Sequence, residues 1–178
     1  NTIRINTLTA TPAVCEIGST NSILVQWSLS KTPTAQTINE YPVEGTSKLY
    51  TSVSTAQTYT LEVTDGIDTV SDTVSVTFAN NIYYGAAADL TAVTTLTNVI
   101  SNSRARTFTA NAGAGQYIIY AIPARLGAVE FFVSGFEGGF EPPQRQILTN
   151  SSGYQEAYNV YRSTNKGLGM TVVEVREA

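Results

Sequence analysis

Thr58-Tyr-Thr-Leu-Glu-Val-Thr-Asp-Gly66, followed shortly by Asp72-Thr-Val-Ser-Val-Thr-Phe78, decides how this chain folds. In an extended backbone successive side chains point to opposite faces. Tyr59, Leu61 and Val63 therefore share one side, and Thr58, Thr60, Glu62 and Thr64 the other. Asp65-Gly66 supplies the positive φ angles that a tight hairpin needs, and Val74, Val76 and Phe78 resume the apolar face. The result is a hairpin, 57–64 with 67–78, that is dry on one side and wet on the other. Antiparallel sandwiches are built from such pieces.

Upstream, the same alternation recurs in short runs. Thr2 to Ala10 alternates through Ile3 and Ile5, and Val14 to Ile17 is a second piece ended by Gly18-Ser-Thr-Asn21. Ile23, Val25, Trp27 and Leu29 share one face, which makes Trp27 a core anchor. Pro42 lacks the N–H that a central strand requires, so Ile38 to Val43 reads as an edge strand. Lys48 to Val53 adds another. About seven short strands over the first ~80 residues fit an Ig-like sandwich. Asn80-Asn81 marks the boundary, giving domains 1–80 and 81–178.

Beyond that boundary the character changes, with seven of the ten tyrosines and ten of the thirteen glycines. Strands are expected at 104–110, 116–122, 129–134, 145–149, 155–162 and 170–176, with glycine- and proline-rich breaks between them. Ile118-Ile119 and Phe131-Phe132 put apolar side chains on both faces, as central strands covered on two sides do. Leu90, Val93 and Leu96 recur every three residues after Ala86-Ala-Ala88, which predicts one or two helical turns around 87–96. The fold class is all-β: two tandem β-sandwich domains, the first Ig-like, the second an antiparallel sandwich with one short helix.

Composition agrees. Hydrophobic residues make up 42% of the 178, enough for a core, while charged residues are only 13%, about half the ~25% of ordinary soluble domains. Twenty-six Thr, fifteen Ser and twelve Asn take their place at the surface, and β-branched Thr suits a pleated, half-exposed strand. Residues 1–80 hold seven acids against three bases, whereas 81–178 hold seven of each. A net charge of −4 without a basic cluster argues against nucleic acid and against a polybasic membrane patch. The most apolar run, Tyr117 to Ile122, falls far short of the ~20 residues of a membrane helix, so no membrane insertion is expected.

The sequence contains no histidine. That removes the common serine and cysteine triads, His-based zinc sites and His general bases. Cys15 is the sole cysteine and reads as a small buried residue, so neither an intrachain disulfide nor a thiolate metal site is expected. Glycoside hydrolysis stays open because it needs only two carboxylates about 5–10 Å apart. Glu130, Glu137 and Glu141 are the nearest such cluster, read as solvated acids at a strand end and in a glycine-rich loop. Asp65, Asp68 and Asp72 lack the length and ligand count of a calcium loop and read as part of a hairpin. No metal or cofactor is expected.

Binding potential concentrates in Ser134-Gly-Phe-Glu-Gly-Gly-Phe-Glu-Pro-Pro143. Exposed there, Phe136 and Phe140 would stack on sugar rings or anchor a partner; folded back, they would plug the end of the sandwich. Tyr154, Tyr158 and Tyr161 offer a second surface, although only Tyr154 and Tyr158 share strand parity. Arg162, Asn165 and Lys166 follow as a polar rim. The candidate contacts are thus Phe136, Phe140, Tyr154, Tyr158 and Arg162.

Val14-Cys-Glu-Ile-Gly-Ser, the Trp27 strand, Thr58 to Gly66, Val76-Thr-Phe78 and Ile82-Tyr-Tyr-Gly85 together resemble Ig-like modules of tailed-bacteriophage structural proteins. Gly115-Gln-Tyr-Ile-Ile-Tyr-Ala-Ile-Pro123, Leu148 to Gly153 and Tyr158-Asn-Val-Tyr-Arg-Ser-Thr-Asn165 are similar to the domain that follows such modules in tail, fibre or capsid-decoration proteins. The resemblance implies a non-enzymatic virion component, made in the host cytoplasm and carried on the particle. It also implies a homo-oligomer or many copies, contacts with other virion proteins, and contact with a host cell-surface glycan. A bacterial surface adhesin or carbohydrate-binding module is the competing reading, and a glycan-cleaving enzyme using carboxylates alone ranks third.

Overall fold

A computed structural model describes all 178 residues, which form two compact units, Asn1–Phe78 and Ala79–Ala178. The division falls slightly before the Asn80-Asn81 pair. Both units are β-sandwiches.

The first unit contains β1 (Ile5–Thr11), β2 (Val14–Glu16), β3 (Asn21–Leu29), β4 (Ala35–Ile38), β5 (Tyr41–Pro42), β6 (Ser47–Val53), β7 (Gln57–Thr64) and β8 (Thr69–Ala79). One sheet has the order β1-β3-β6 and the other β2-β8-β7-β4-β5. The chain changes sheet between β1 and β2 at Pro12, which has no N–H to give to a ladder. It then alternates between the two sheets in the Greek-key manner of an Ig-like sandwich. Ile23, Val25 and Trp27 of β3 are buried together with Tyr59, Leu61 and Val63 of β7, Val76 of β8, and Cys15. Trp27 keeps its one polar atom satisfied: Nε1 donates to Gln36 Oε1 at 3.1 Å, and Gln36 Nε2 donates to the Gly45 carbonyl at 2.7 Å. The tryptophan thereby holds the β5–β6 loop against the sheet.

The β7–β8 hairpin differs in detail from expectation. Thr64 pairs with Thr69, so the loop has four residues, and of these only Gly66 has positive φ, at 91°. The Asp65 carboxylate replaces the second left-handed residue by accepting from the Ile67 and Asp68 N–H groups at 3.0 and 2.8 Å. Its other oxygen meets Lys31 Nζ at 2.6 Å. The two-residue turn with positive φ at both positions lies instead at Asn39 and Glu40 (49° and 71°), joining Ile38 to Tyr41. No glycine marks it. Asn39 holds it by donating to the Thr58 carbonyl and accepting from the Thr60 N–H. Pro42 sits on β5 at the sheet edge, but Ile38 to Val43 is not one strand, because this turn divides it between β4 and β5.

The second unit contains β9 (Asn81–Ala87), β10 (Thr97–Ile100), β11 (Arg106–Ala112), β12 (Tyr117–Pro123), β13 (Val129–Val133), β14 (Phe136–Glu137), β15 (Gln144–Thr149), β16 (Gln155–Arg162) and β17 (Gly169–Glu177). Its sheets run β10-β9-β12-β16-β15 and β11-β17-β13-β14, with every neighbouring pair antiparallel. Ile118, Tyr120 and Ile122 of β12 enter the core between the sheets with Phe108, Phe131, Tyr161 and Val173. Phe131 meets Tyr120 and Tyr161 edge-on, at centroid distances of 5.8 and 5.0 Å, arrangements that the ring quadrupoles favour.

Residues of the opposite parity on this sheet, Tyr83, Ile119, Ala121, Tyr158 and Val160, are also buried. A strap over 88–96 covers them with Leu90, Val93 and Leu96. The three-residue spacing read as helix is therefore a docking pattern. Only Val93–Thr95 form a single 3-10 turn, and a second such turn spans Ala124–Leu126. Thr91, Thr94 and Thr95 disfavour a longer helix. Gly85 makes room for the strap, since a Cβ there would lie 3.3 Å from Leu96 Cδ2. β13 corrects the other two-sided expectation. Phe131 is in the core, but the outer face of Phe132 is covered by the Arg176 guanidinium, 3.9 Å from the ring centroid, and by no second layer.

Asp65 links the hairpin to acid stability. Hydrogen bonding from Lys31, then from the Asp68 and Ile67 N–H groups, holds its carboxyl well below the usual range. Unfolding restores an ordinary pKa near ~3.9. Because the folded value is the lower one, the stabilisation is complete above about pH 4 and disappears as pH falls through the folded value. Thermal unfolding followed from about pH 5 down to about pH 2 should show a shallower acid decline for Asp65→Asn than for wild type. Parallel curves would show that this carboxylate contributes nothing to acid stability.

Candidate functional site

Phe136 and Phe140 have the same parity, yet the 134–143 loop sends them in different directions, because Gly138 and Gly139 take positive φ (101° and 85°) and break the alternation between them. Ser134 and Gly135 take positive φ and turn the chain out of β13, which leaves Phe136 79% exposed at the tip. Phe140 returns to the sandwich. It stacks on Phe131 with centroids 3.9 Å apart and bridges to Ser163 across the sheet end. Of the two expected contacts, only Phe136 faces solvent; Phe140 is half-buried against the core.

The tyrosines divide similarly. Tyr154 is 37% exposed, in a turn held by Asn150 Oδ1, which accepts from the Ser152 and Tyr154 N–H groups. Tyr158 is a correction: it is 2% exposed and donates its hydroxyl to the Asn81 carbonyl at 2.6 Å. Burial pushes its phenol pKa upward, with the nearby Tyr83 adding to the shift. β16 is an internal strand whose outer face lies beneath the strap, so a residue of solvent-facing parity is enclosed. Tyr161 points the opposite way and is buried in the core between the sheets.

Two depressions bring polar groups together in this unit. Glu130, Glu137 and Glu141, read separately as solvated acids, line one of about 390 Å³ whose apolar wall includes Phe131, Phe140 and Pro142. Arg176 is ion-paired with Glu174 at 2.7 Å and lies within electrostatic reach of Glu130 and Glu137. The three carboxylates do not converge closely enough to hold a metal ion. As arranged, they are hydrogen-bond acceptors on the rim of an aromatic cleft.

The other depression, of about 370 Å³, is lined by Asp89, Thr91, Tyr117, Gln144, Gln146 and Arg162, with Leu90 in its wall. The Arg162 guanidinium lies 4.4 Å from the Tyr117 ring centroid, and Lys166 Nζ lies 5.1 Å from it. Gln146 Nε2 donates to the Leu90 carbonyl at 3.0 Å, tying the strap to β15. Sequence reasoning identified Arg162 but missed Tyr117, Gln144 and Gln146. The legible signal was the alternation of Gln144 and Gln146 along one strand face.

In the first unit a concavity of about 760 Å³ runs along the β5–β6 loop past Leu29, Pro33, Gln36, Pro42 and Val43. No helix in the chain is long and apolar enough to cross a membrane. No protein-family model matches this chain, and no curated protein is significantly similar to it.

The two loop phenylalanines should separate cleanly. Phe140→Ala removes a stacked, half-buried ring and should cost about 1–3 kcal/mol of stability in denaturant unfolding. Phe136→Ala should stay within about 0.5 kcal/mol of wild type. A large effect of Phe136→Ala would show that its ring is engaged elsewhere in the fold.

Proposed function

We propose that this chain is a non-enzymatic structural and attachment component of a tailed-bacteriophage virion, in the tail, baseplate, head fibre or capsid decoration. The single observation that carries this reading is the Ig-like strand order of the first unit, formed by the residues that resemble phage modules. Trp27 and the Thr58 to Thr64 strand make its core, and Tyr83-Tyr84-Gly85 opens the second sandwich. The physical character fits a particle component. The exposed face of the β7–β8 hairpin carries paired hydroxyls, with Thr58 beside Ser75 and Thr60 beside Thr73, so it stays soluble with little charge. Contacts with other virion proteins and a host cell-surface glycan would each be weak. Many copies on one particle would raise their joint strength through effective concentration.

Immunogold labelling with antibody to the purified chain should decorate particles isolated from a phage lysate of the host carrying the gene. Label on the bacterial envelope together with bare particles would overturn the virion reading in favour of a bacterial adhesin.

A further inference from the structure

We propose that the depression beside Tyr117 binds an acidic sugar residue, a polyhydroxylated ring bearing a carboxylate, with Arg162 as the group that receives the carboxylate. The inference deepens the attachment reading and rests on it, since a virion or adhesin module needs a ligand on its target surface.

The outer face of the five-stranded sheet is divided along its length. Its apolar part, Ile119, Ala121, Tyr158 and Val160, is closed by the strap. Where the same face becomes polar, the start of the strap forms one wall, Asp89 to Thr91, of an open concavity whose other side is Tyr117, Gln144, Gln146 and Arg162. Gln146 serves the strap as well as the concavity, through its bond to the Leu90 carbonyl.

The charges there are set apart by their position and not by being unpaired, since six of the ten cations in the chain lack a salt-bridge partner. Lys31, Arg104, Arg125 and Arg176 each have a carboxylate partner. Arg162 and Lys166 have none within ion-pair distance, yet both cations lie over the same tyrosine ring. The ring face offsets part of their mutual repulsion, and a bound anion would offset more. Arg162 uses one N–H on the Ser163 carbonyl at 3.1 Å. Its remaining donors match a carboxylate, which guanidinium groups bind in a two-point fork.

Asp89 narrows the ligand class. One of its oxygens accepts from the Thr91 N–H and hydroxyl at 3.0 and 2.6 Å, which leaves the other as a free acceptor on a residue that lines the depression. A bare inorganic anion gains nothing from that carboxylate and is repelled by it. A sugar acid satisfies both ends, with its carboxylate on Arg162 and a ring hydroxyl donating to Asp89. Gln146 Nε2 already donates to the Leu90 carbonyl and to Gln144 Oε1, which leaves the Gln144 amide N–H groups and Gln146 Oε1 for further hydroxyls. The volume of about 370 Å³ is at the small end of the range of ligand sites, which suits one or two sugar rings. Such a contact is weak singly and useful in multiple copies.

The test is an NMR titration of the full chain with N-acetylneuraminic acid and galacturonic acid. Galacturonic acid methyl ester, galactose and sodium sulfate serve as comparisons. Both acids should bind in the millimolar range and shift the side-chain amides of Gln144 and Gln146 and the Arg162 Nε–H. The ester, galactose and sulfate should bind at least about tenfold more weakly. Arg162→Met, which keeps the aliphatic stem over Tyr117, should lose about tenfold or more in acid binding with an unchanged unfolding midpoint. Lys166→Met should lose less. If Arg162→Met fails to fold, Gln144→Ala at the exposed rim replaces it and should weaken the acid several-fold.

Equal binding of galactose and galacturonate, sulfate binding as tight as the acids, or absence of acid binding by wild type would each overturn the proposal. Particles that carry the label while the wild-type chain ignores both acids would refute this site and leave the virion reading standing. Acid binding by a chain that never labels particles would refute the virion reading and leave the site.

Discussion

Ile118, Tyr120 and Ile122 point from β12 into the core between the sheets, while Ile119 and Ala121 point out the other side, so both faces of that strand must be kept from water. Much of the second unit follows from this constraint. A two-layer sandwich covers only one face of each sheet, so the chain supplies a third layer from its own connection, the strap over 88–96. Burying side chains of this size is worth about 1.5–3 kcal/mol each, enough to hold an irregular segment that has little regular hydrogen bonding of its own. Gly85 gives Leu96 its seat, Tyr158 donates beneath the cover, and Gln146 anchors the strap's backbone at Leu90.

The same constraint shapes the surface. The strap covers the apolar residues and its start lies against a polar set, so the open depression at Tyr117 is bounded by structure already needed for stability. The cleft lined by Glu130, Glu137 and Glu141 has a different origin, the returning loop that stacks Phe140 on Phe131. One concavity brings Arg162 together with Asp89, and the other gathers three carboxylates. A half of the chain whose charges balance thus presents one site of mixed charge and one acidic site.

The first unit solves its packing in the simpler way available to an Ig-like sandwich, with one dry layer between two sheets. Trp27 fills that layer, and its indole N–H goes to Gln36, whose amide in turn binds Gly45. Side chains also stand in where glycine does not. Asp65 accepts the loop amides of the β7–β8 turn, and Asn39 ties the β4–β5 turn to β7. Local sequence marked the first of these turns through Asp-Gly and gave no sign of the second.

Alternation alone determined the strands, because side-chain parity is a property of the extended backbone and needs no partner to be read. Tyr59, Leu61 and Val63, or Ile23, Val25 and Trp27, declare a dry face from the sequence, and the all-β class follows. Which outward-facing residues meet solvent was decided only by the tertiary fold. Tyr158 was read as a surface contact and is enclosed, Phe140 was left open between exposure and packing and lies on Phe131, and Leu90, Val93 and Leu96 were read as helix and became a cover. Parity specifies the side of a sheet on which a residue stands. Whether that side is wet depends on a segment distant in sequence folding over it, and nothing local to the strand carries that information.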